Sequence, residues 1–234
     1  MTSRAYLAAV TATLTLLGAQ TGENRGDAAT SPVPSSAPLE MTGSEILARL
    51  LAARQGLHSY SVPIHFNLTV HKGPSVSAQL DAVRYFQSPD RELLAMNSMP
   101  SFAGKFRYIY SGLGTPETWP SSYDVTRVAG DPESATYELK CVPRTTTGVS
   151  YMLWDVTRDT YAPVAAHVFY TNTGRVDLQF ENAQSGGYLL PLTETIDIAF
   201  PDYKVHAVGH YGTYSINRPI PDSVWQTSPA PLPT

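Results

Sequence analysis

The residues between His58 and His71 alternate between apolar and polar side chains without a break. Successive side chains of a β-strand point to opposite faces, so this pattern predicts one long strand with an apolar and a polar face. At about 3.3 Å per residue such a strand would span roughly 45 Å, far more than the usual five or six residues. A large curved antiparallel sheet is therefore expected. Its apolar face would carry Tyr60, Val62, Ile64, Phe66, Leu68 and Val70.

One amphipathic helix is predicted before this strand, from about Ser44 to Gln55. Thr42 and Glu45 have the spacing of a capping box, in which each side chain accepts a hydrogen bond from the other residue's backbone amide. Apolar residues then recur at helical spacing, and Gly56 has the residue type favoured just past a helix end. These apolar positions are Ile46, Leu47, Leu50, Leu51 and Leu57.

The remainder of the chain keeps the period of a β-strand. Val164–Tyr170 and Arg175–Glu181 form the clearest hairpin. Val149–Val156 is apolar on both faces, which indicates a strand covered on two sides. The alternation slips between Ala82 and Val83, which predicts a β-bulge. The expected fold is mostly β, with about ten strands and one N-terminal amphipathic helix. A curved antiparallel sheet is the architecture that this pattern favours.

A breaker-rich segment from Asn97 to Glu133 interrupts this pattern and is loop-like from about Ser111 onward. It nevertheless carries the apolar residues Met99, Phe102 and Trp119. Apolar side chains on such a segment are expected where a mobile cover closes over a sheet. A static loop whose aromatic side chains cap the core is the alternative.

Both ends of the chain are predicted to lie outside the folded domain. Arg4, an apolar stretch and small residues up to Ala19 are typical of a secretory signal peptide, residues 1–19. Residues 20–40 are expected to be a flexible linker, 41–225 the folded domain and 226–234 a disordered tail. Since no cysteine follows the leader, we expect a periplasmic or secreted protein without a lipid anchor. Cys141 is the only cysteine, so no internal disulfide can form.

The net charge and the positions of reactive side chains exclude several classes of function. The net charge of −4 argues against a nucleic-acid binder. His206 and His210 share a strand face but would lie about 13 Å apart, too far to ligate one metal ion. Cys141 lies in an alternating strand pattern typical of a small buried residue, and Asp177 and Asp197 are expected to stand singly on solvated faces. No nucleophile motif is found, so we expect neither an enzyme, nor a cofactor, nor a metal site.

Several local patterns, taken in order, are similar to one family. The turn at residues 87–90 follows the long strand, and residues 137–140 and 154–159 lead into the hairpin at 164–181. In this order the chain resembles the LolA-like periplasmic lipoprotein carriers and outer-membrane lipoprotein-sorting proteins. The resemblance implies an incomplete β-barrel, closed by helices around an apolar cavity that takes up acyl chains. The family often has Arg before the proline of that turn, where this chain has Ser88.

The resulting hypothesis is an extracytoplasmic carrier that binds a lipid or an acylated polypeptide. It would be a monomer that meets membrane-associated proteins. One alternative is an ordinary β-protein whose apolar face is a dry core. Another is a structural or protein-interaction module of the cell envelope that uses sheet edges or a tyrosine-rich surface for recognition. The candidate residues lining the cavity are Val62, Ile64, Phe66, Leu68, Met99, Phe102, Trp119, Leu153, Val176, Leu178 and Phe180.

Overall fold

The computed structural model describes residues 40–71, 75–96, 106, 109 and 114–226. The predicted leader, the linker up to residue 39 and the tail from residue 227 lie outside these residues, as do Met99 and Phe102. The expectations for those segments therefore stay predictions.

The first helix, α1, spans Gly43–Ala53 and begins with the predicted capping box. The Thr42 backbone amide donates to Glu45 Oε2 at 2.7 Å, and the Glu45 amide donates to Thr42 Oγ1 at 3.3 Å. The backbone hydrogen bond from Thr42 lowers the pKa of Glu45. A 3-10 turn at Pro116–Thr118 leads into α2, Trp119–Ser122, and α3 spans Asp222–Trp225. None of the helices among the described residues is long and apolar enough to cross a membrane.

Eleven strands among the described residues form one antiparallel sheet. Its order is β3-β2-β1-β10-β9-β8-β7-β6-β5-β4, with β11 paired to β1. Because β3 and β4 end this order without pairing to each other, the sheet is an incomplete barrel, as predicted. The strands are β1 Ser59–His71, β2 Ser75–Gln87, β3 Arg91–Met96, β4 Tyr123–Arg127, β5 Thr136–Pro143, β6 Val149–Thr157, β7 Pro163–Tyr170, β8 Arg175–Ser185, β9 Tyr188–Phe200, β10 Tyr203–Tyr211 and β11 Ser215–Ile216.

Long-range pairings join the first strand to the last two. Nearly all neighbouring strands are consecutive in sequence, but β1 pairs with β10 from Ile64 opposite Tyr211 to His71 opposite Lys204. This pairing places the long first strand in the interior of the sheet, with β2 on its other side.

The predicted β-bulge at Ala82 and Val83 is wrong. The register of β1 and β2 runs without a shift from one end of β2 to the other. The apparent slip has another cause: Arg84 lies opposite the buried Val62, so a charged residue occupies an apolar position of the alternation. A register shift occurs instead between β8 and β9, after Glu181.

The loop predicted from Ser111 to Glu133 is wrong in part, because it contains α2 and the edge strand β4. The start of α1, at Gly43, packs against the C-terminal end of β4. A Cβ on Gly43 would lie 2.6 Å from the Arg127 backbone nitrogen, so the close approach of helix and strand requires glycine here.

Candidate ligand-binding face

The sheet has one face covered by α1 and by buried aromatic side chains, called here the inner face. Most candidate residues named from the sequence lie on it. Phe180 is partly buried there and packs against the core. The fully or nearly fully buried candidates are Val62, Ile64, Phe66, Leu68, Trp119, Val176 and Leu178.

Leu153 does not lie on this face. Its register neighbours are Lys140 and His167, whereas the adjacent Met152 and Trp154 are buried opposite Cys141 and other core residues. A strand that is apolar on both faces gives no sign of which parity points inward, and this is why the sequence misplaced Leu153. Met152 and Trp154 replace it on the inner face.

Residues that lie opposite one another on successive strands form rows across the inner face. The chemistry of these rows changes along the strands. The first row is entirely apolar, and we call it the aliphatic row. It runs across seven strands as Val70, Val205, Ile198, Val176, Val168, Met152 and Cys141.

The next row is also apolar but contains two small side chains. It includes the fully buried Ala207 and Ala166, each between larger side chains. The row runs as Leu68, Ala207, Ile196, Leu178, Ala166, Trp154 and Leu139.

The third row carries a buried carboxyl group. Phe66 lies opposite Gly209, which lies opposite Glu194, which lies opposite Phe180. The Glu194 side chain is only 1% exposed, and its Oε2 accepts a hydrogen bond from Tyr211 Oη at 2.6 Å. The signal was present in the sequence, since Glu194 has the parity of the apolar Ile196 and Ile198.

Further polar groups lie beyond this row, towards the start of β1. Tyr60 and Tyr214 pack edge-on with ring centroids 5.5 Å apart. Burial raises the pKa of both phenols, and the neighbouring Glu194 raises that of Tyr214 further. Arg84, which also faces inward, forms a salt bridge with Glu92. The inner face therefore runs from a wholly aliphatic end to one with buried polar groups.

Aromatic residues from the predicted cover segment lie against this face. Phe106 is fully buried and meets Phe66 edge-on, with ring centroids 5.4 Å apart. Trp119 is fully buried against Trp154 at 4.6 Å, and Trp154 stacks on Phe180 at 6.1 Å. Phe106 and Trp119 of this segment therefore pack on the inner face.

The turn before α2 is also linked to the end of α1. Arg54, just after α1, donates through Nε to Glu117 Oε1 at 2.6 Å, and both side chains are 14% exposed. The other oxygen of Glu117 is buried and has no hydrogen-bond partner among the described residues. The indole N–H groups of Trp119 and Trp154 are in the same situation.

The outer face of the sheet is polar, and its carboxylates do not stand singly. Asp197 lies directly opposite Asp177 on the neighbouring strand. His206 Nδ1 lies 2.8 Å from Asp197 Oδ1, and His167 Nδ1 lies 2.5 Å from Asp177 Oδ1. Arg175 Nε donates to Asp177 at 2.7 Å. Within the described part of the chain, no three His, Cys, Asp or Glu residues are arranged to hold a metal ion.

No family model and no curated protein sequence matches the chain. Solved structures do match it in fold. A DUF1329 family protein from Desulfovibrio piger has a TM-score of 0.54 at 13% identity, covering 79% of this chain and 96% of that one. A LolA superfamily protein from Nitrosomonas europaea has a TM-score of 0.52 at 10% identity, covering 79% and 97%.

A third similar structure is a putative outer membrane lipoprotein-sorting protein domain from Vibrio parahaemolyticus. Its TM-score is 0.51 at 10% identity, covering 77% of this chain and 94% of that one. The resemblance to LolA-like proteins is thus confirmed as a likeness of fold.

Proposed function

We propose that this protein is an extracytoplasmic carrier that binds the acyl chain of a lipid or lipidated polypeptide on the inner face of its half-barrel. The observation that carries the proposal is the change along that face from the aliphatic row to the row of Glu194. A lipid has the same order, an apolar chain followed by a polar head. The fold shared with a LolA superfamily protein and a putative lipoprotein-sorting domain supports this function.

The energetics of the inner face suit an acyl ligand. Each methylene transferred from water to an apolar site contributes about 0.8 kcal/mol. A chain of about sixteen carbons therefore offers roughly 12 kcal/mol before the costs of association and of opening the cover. The small side chains of Ala166 and Ala207 leave room above the sheet once the cover moves away. Such a face can hold one extended chain without a change in the sheet itself.

Binding would require the cover to move, and its salt bridge to α1 favours a movement of the two together. The salt bridge between Arg54 and Glu117 links the end of α1 to the turn before α2. In this account α1 and the segment that carries Phe106 and Trp119 open together. Hydrogen exchange should then slow in both on addition of an acyl ligand, with little change in β8 and β9. Unchanged exchange in the presence of a bound ligand would contradict the cover.

The predicted signal peptide favours a periplasmic or secreted location. A carrier needs no catalytic group, so we propose a non-enzymatic protein without a cofactor. Its proposed cargo is a lipid or acylated polypeptide. The protein itself is proposed to be a monomer that delivers this cargo to membrane-associated proteins.

Native mass spectrometry of the protein purified from its own compartment tests the carrier function. We expect a one-to-one adduct with the mass of an acyl lipid, and rebinding of monopalmitoylglycerol after the lipid is removed. Ala166→Val, on the inner face, should weaken binding, whereas Ala165→Val, its neighbour with outward parity, should not. Failure to bind any acyl compound would contradict the proposal.

The alternative function is a protein-interaction module of the cell envelope. It is favoured by the two end strands, since β3 and β4 each have a backbone edge that no described strand pairs. An extended peptide can add to such an edge through main-chain hydrogen bonds. A stable complex with an envelope protein that forms equally well with the lipid-free and lipid-loaded protein would favour this alternative.

A further inference from the structure

We infer that Trp119 and Trp154 form a donor site for the carbonyl oxygen of the bound acyl ligand. The inference rests on the proposed carrier function and names the chemical group that the inner face recognises. It assigns a specificity role to two side chains that otherwise only fill space.

The two indoles are buried next to each other. Trp119 is fully buried and Trp154 is 5% exposed, and their ring centroids are 4.6 Å apart. Neither Nε1–H group has a hydrogen-bond acceptor among the described residues. Trp154 is flanked in the sheet by Leu139 and Ala166 and stacks on Phe180, so its side-chain surroundings there are apolar.

An unpaired donor in such surroundings is costly. Leaving a buried N–H without an acceptor destabilises a protein by about 1–3 kcal/mol, and buried tryptophans usually find a partner for theirs. Phenylalanine would supply an aromatic surface without that cost. The pair therefore presents two buried N–H donors, and no described residue supplies an acceptor for either.

A carbonyl oxygen of the ligand is a suitable acceptor for both N–H groups, because its two lone pairs accept two hydrogen bonds. The position agrees as well, since the row of Trp154 lies between the aliphatic row and the row of Glu194. This boundary is where the chain of an acyl lipid meets its polar head. A neutral ester or amide is favoured over a free carboxylate, because burying a charge in apolar surroundings is far more costly.

The test compares two ligands of equal chain length, monopalmitoylglycerol and its hexadecyl ether, which lacks the carbonyl. Binding of each to the lipid-free full chain is measured by titration calorimetry. Two hydrogen bonds should make the ester bind about tenfold or more tightly than the ether. Trp154→Phe and Trp119→Phe should each reduce this ratio several-fold. The ratio within one variant does not depend on how stably that variant folds.

Trp225→Phe is the matched control, since Trp225 packs against Tyr85 and Arg91 and not against the indole pair. It should leave the ratio unchanged. Equal affinity for ester and ether in the wild type would overturn the inference while leaving the carrier function intact. So would a preference for the ester that persists in the variant lacking both indoles. Binding of neither ligand would overturn the carrier function, and the inference with it.

Discussion

Adding one methyl group at Gly209 should disrupt the contact between the first and last long strands. Gly209 on β10 lies opposite Phe66 on β1. A Cβ there would lie 2.8 Å from Phe66 Cε1 and 3.4 Å from Ile64 Cγ2. The Phe66 ring cannot easily swing away, because it is fully buried and Phe106 lies against it.

The expected cost of Gly209→Ala follows from this geometry. Overpacking of a well-packed core typically destabilises by about 1–3 kcal/mol. In a chain of this size each kcal/mol should lower the melting temperature by about 2–4 °C. Gly148→Ala is the matched control, because Gly148 is exposed and a Cβ there meets nothing within 4 Å. It should be neutral or slightly stabilising.

Urea unfolding of four proteins tests the contact itself: wild type, Gly209→Ala, Phe66→Leu and the double variant. Leucine removes the ring atoms that the new methyl group would meet, so Gly209→Ala should cost clearly less in the Phe66→Leu background. Equal costs in both backgrounds, or a cost no larger than that of Gly148→Ala, would refute the packing of Phe66 over Gly209. The register of β1 against β10 would then be in doubt.

Three further substitutions or measurements probe other parts of the fold. Phe66→Asp should lower the unfolding free energy by several kcal/mol because it buries an unpaired charge. Asn67→Asp, on the exposed face, should change it by about 0.5 kcal/mol or less, and similar losses in the two variants would mean that the strand faces are misassigned. Burial raises the pKa of the Cys141 thiol to about 12, so at pH 8 it should react with a disulfide reagent only after unfolding, and rapid labelling of the native protein would contradict its burial. Gly43→Ala should push α1 away from β4 and speed hydrogen exchange in α1, since the new Cβ would meet backbone atoms; unchanged exchange would argue against this contact.

The features that the sequence predicted well depend on neighbours close in the chain. The alternation of β1, the capping box at Thr42 and the hairpin of β7 and β8 each involve residues a few positions apart. Their periods and turn residues are therefore readable without knowledge of the tertiary structure. The order of these elements was also enough to indicate the half-barrel.

The features that it missed depend on the exact register between neighbouring strands and on which face of a strand points inward. Asp177 and Asp197 face each other only because β8 and β9 pair as they do, and the sequence treated them as separate solvated groups. Leu153 was placed inward because β6 is apolar on both faces. The slip of alternation after Ala82 predicted a bulge, because nothing near it in the sequence shows that Arg84 points inward and pairs with Glu92 on β3.

Contact quenching of tryptophan fluorescence tests the central claim, that an acyl chain binds on the inner face. The chain has three tryptophans, so in Trp225→Phe all tryptophan emission comes from Trp119 and Trp154. A monoacylglycerol whose chain carries two bromine atoms should quench this emission in a saturable, one-to-one manner, while the unbrominated compound should not. Saturable binding without quenching, or no binding at all, would contradict an acyl site on the inner face.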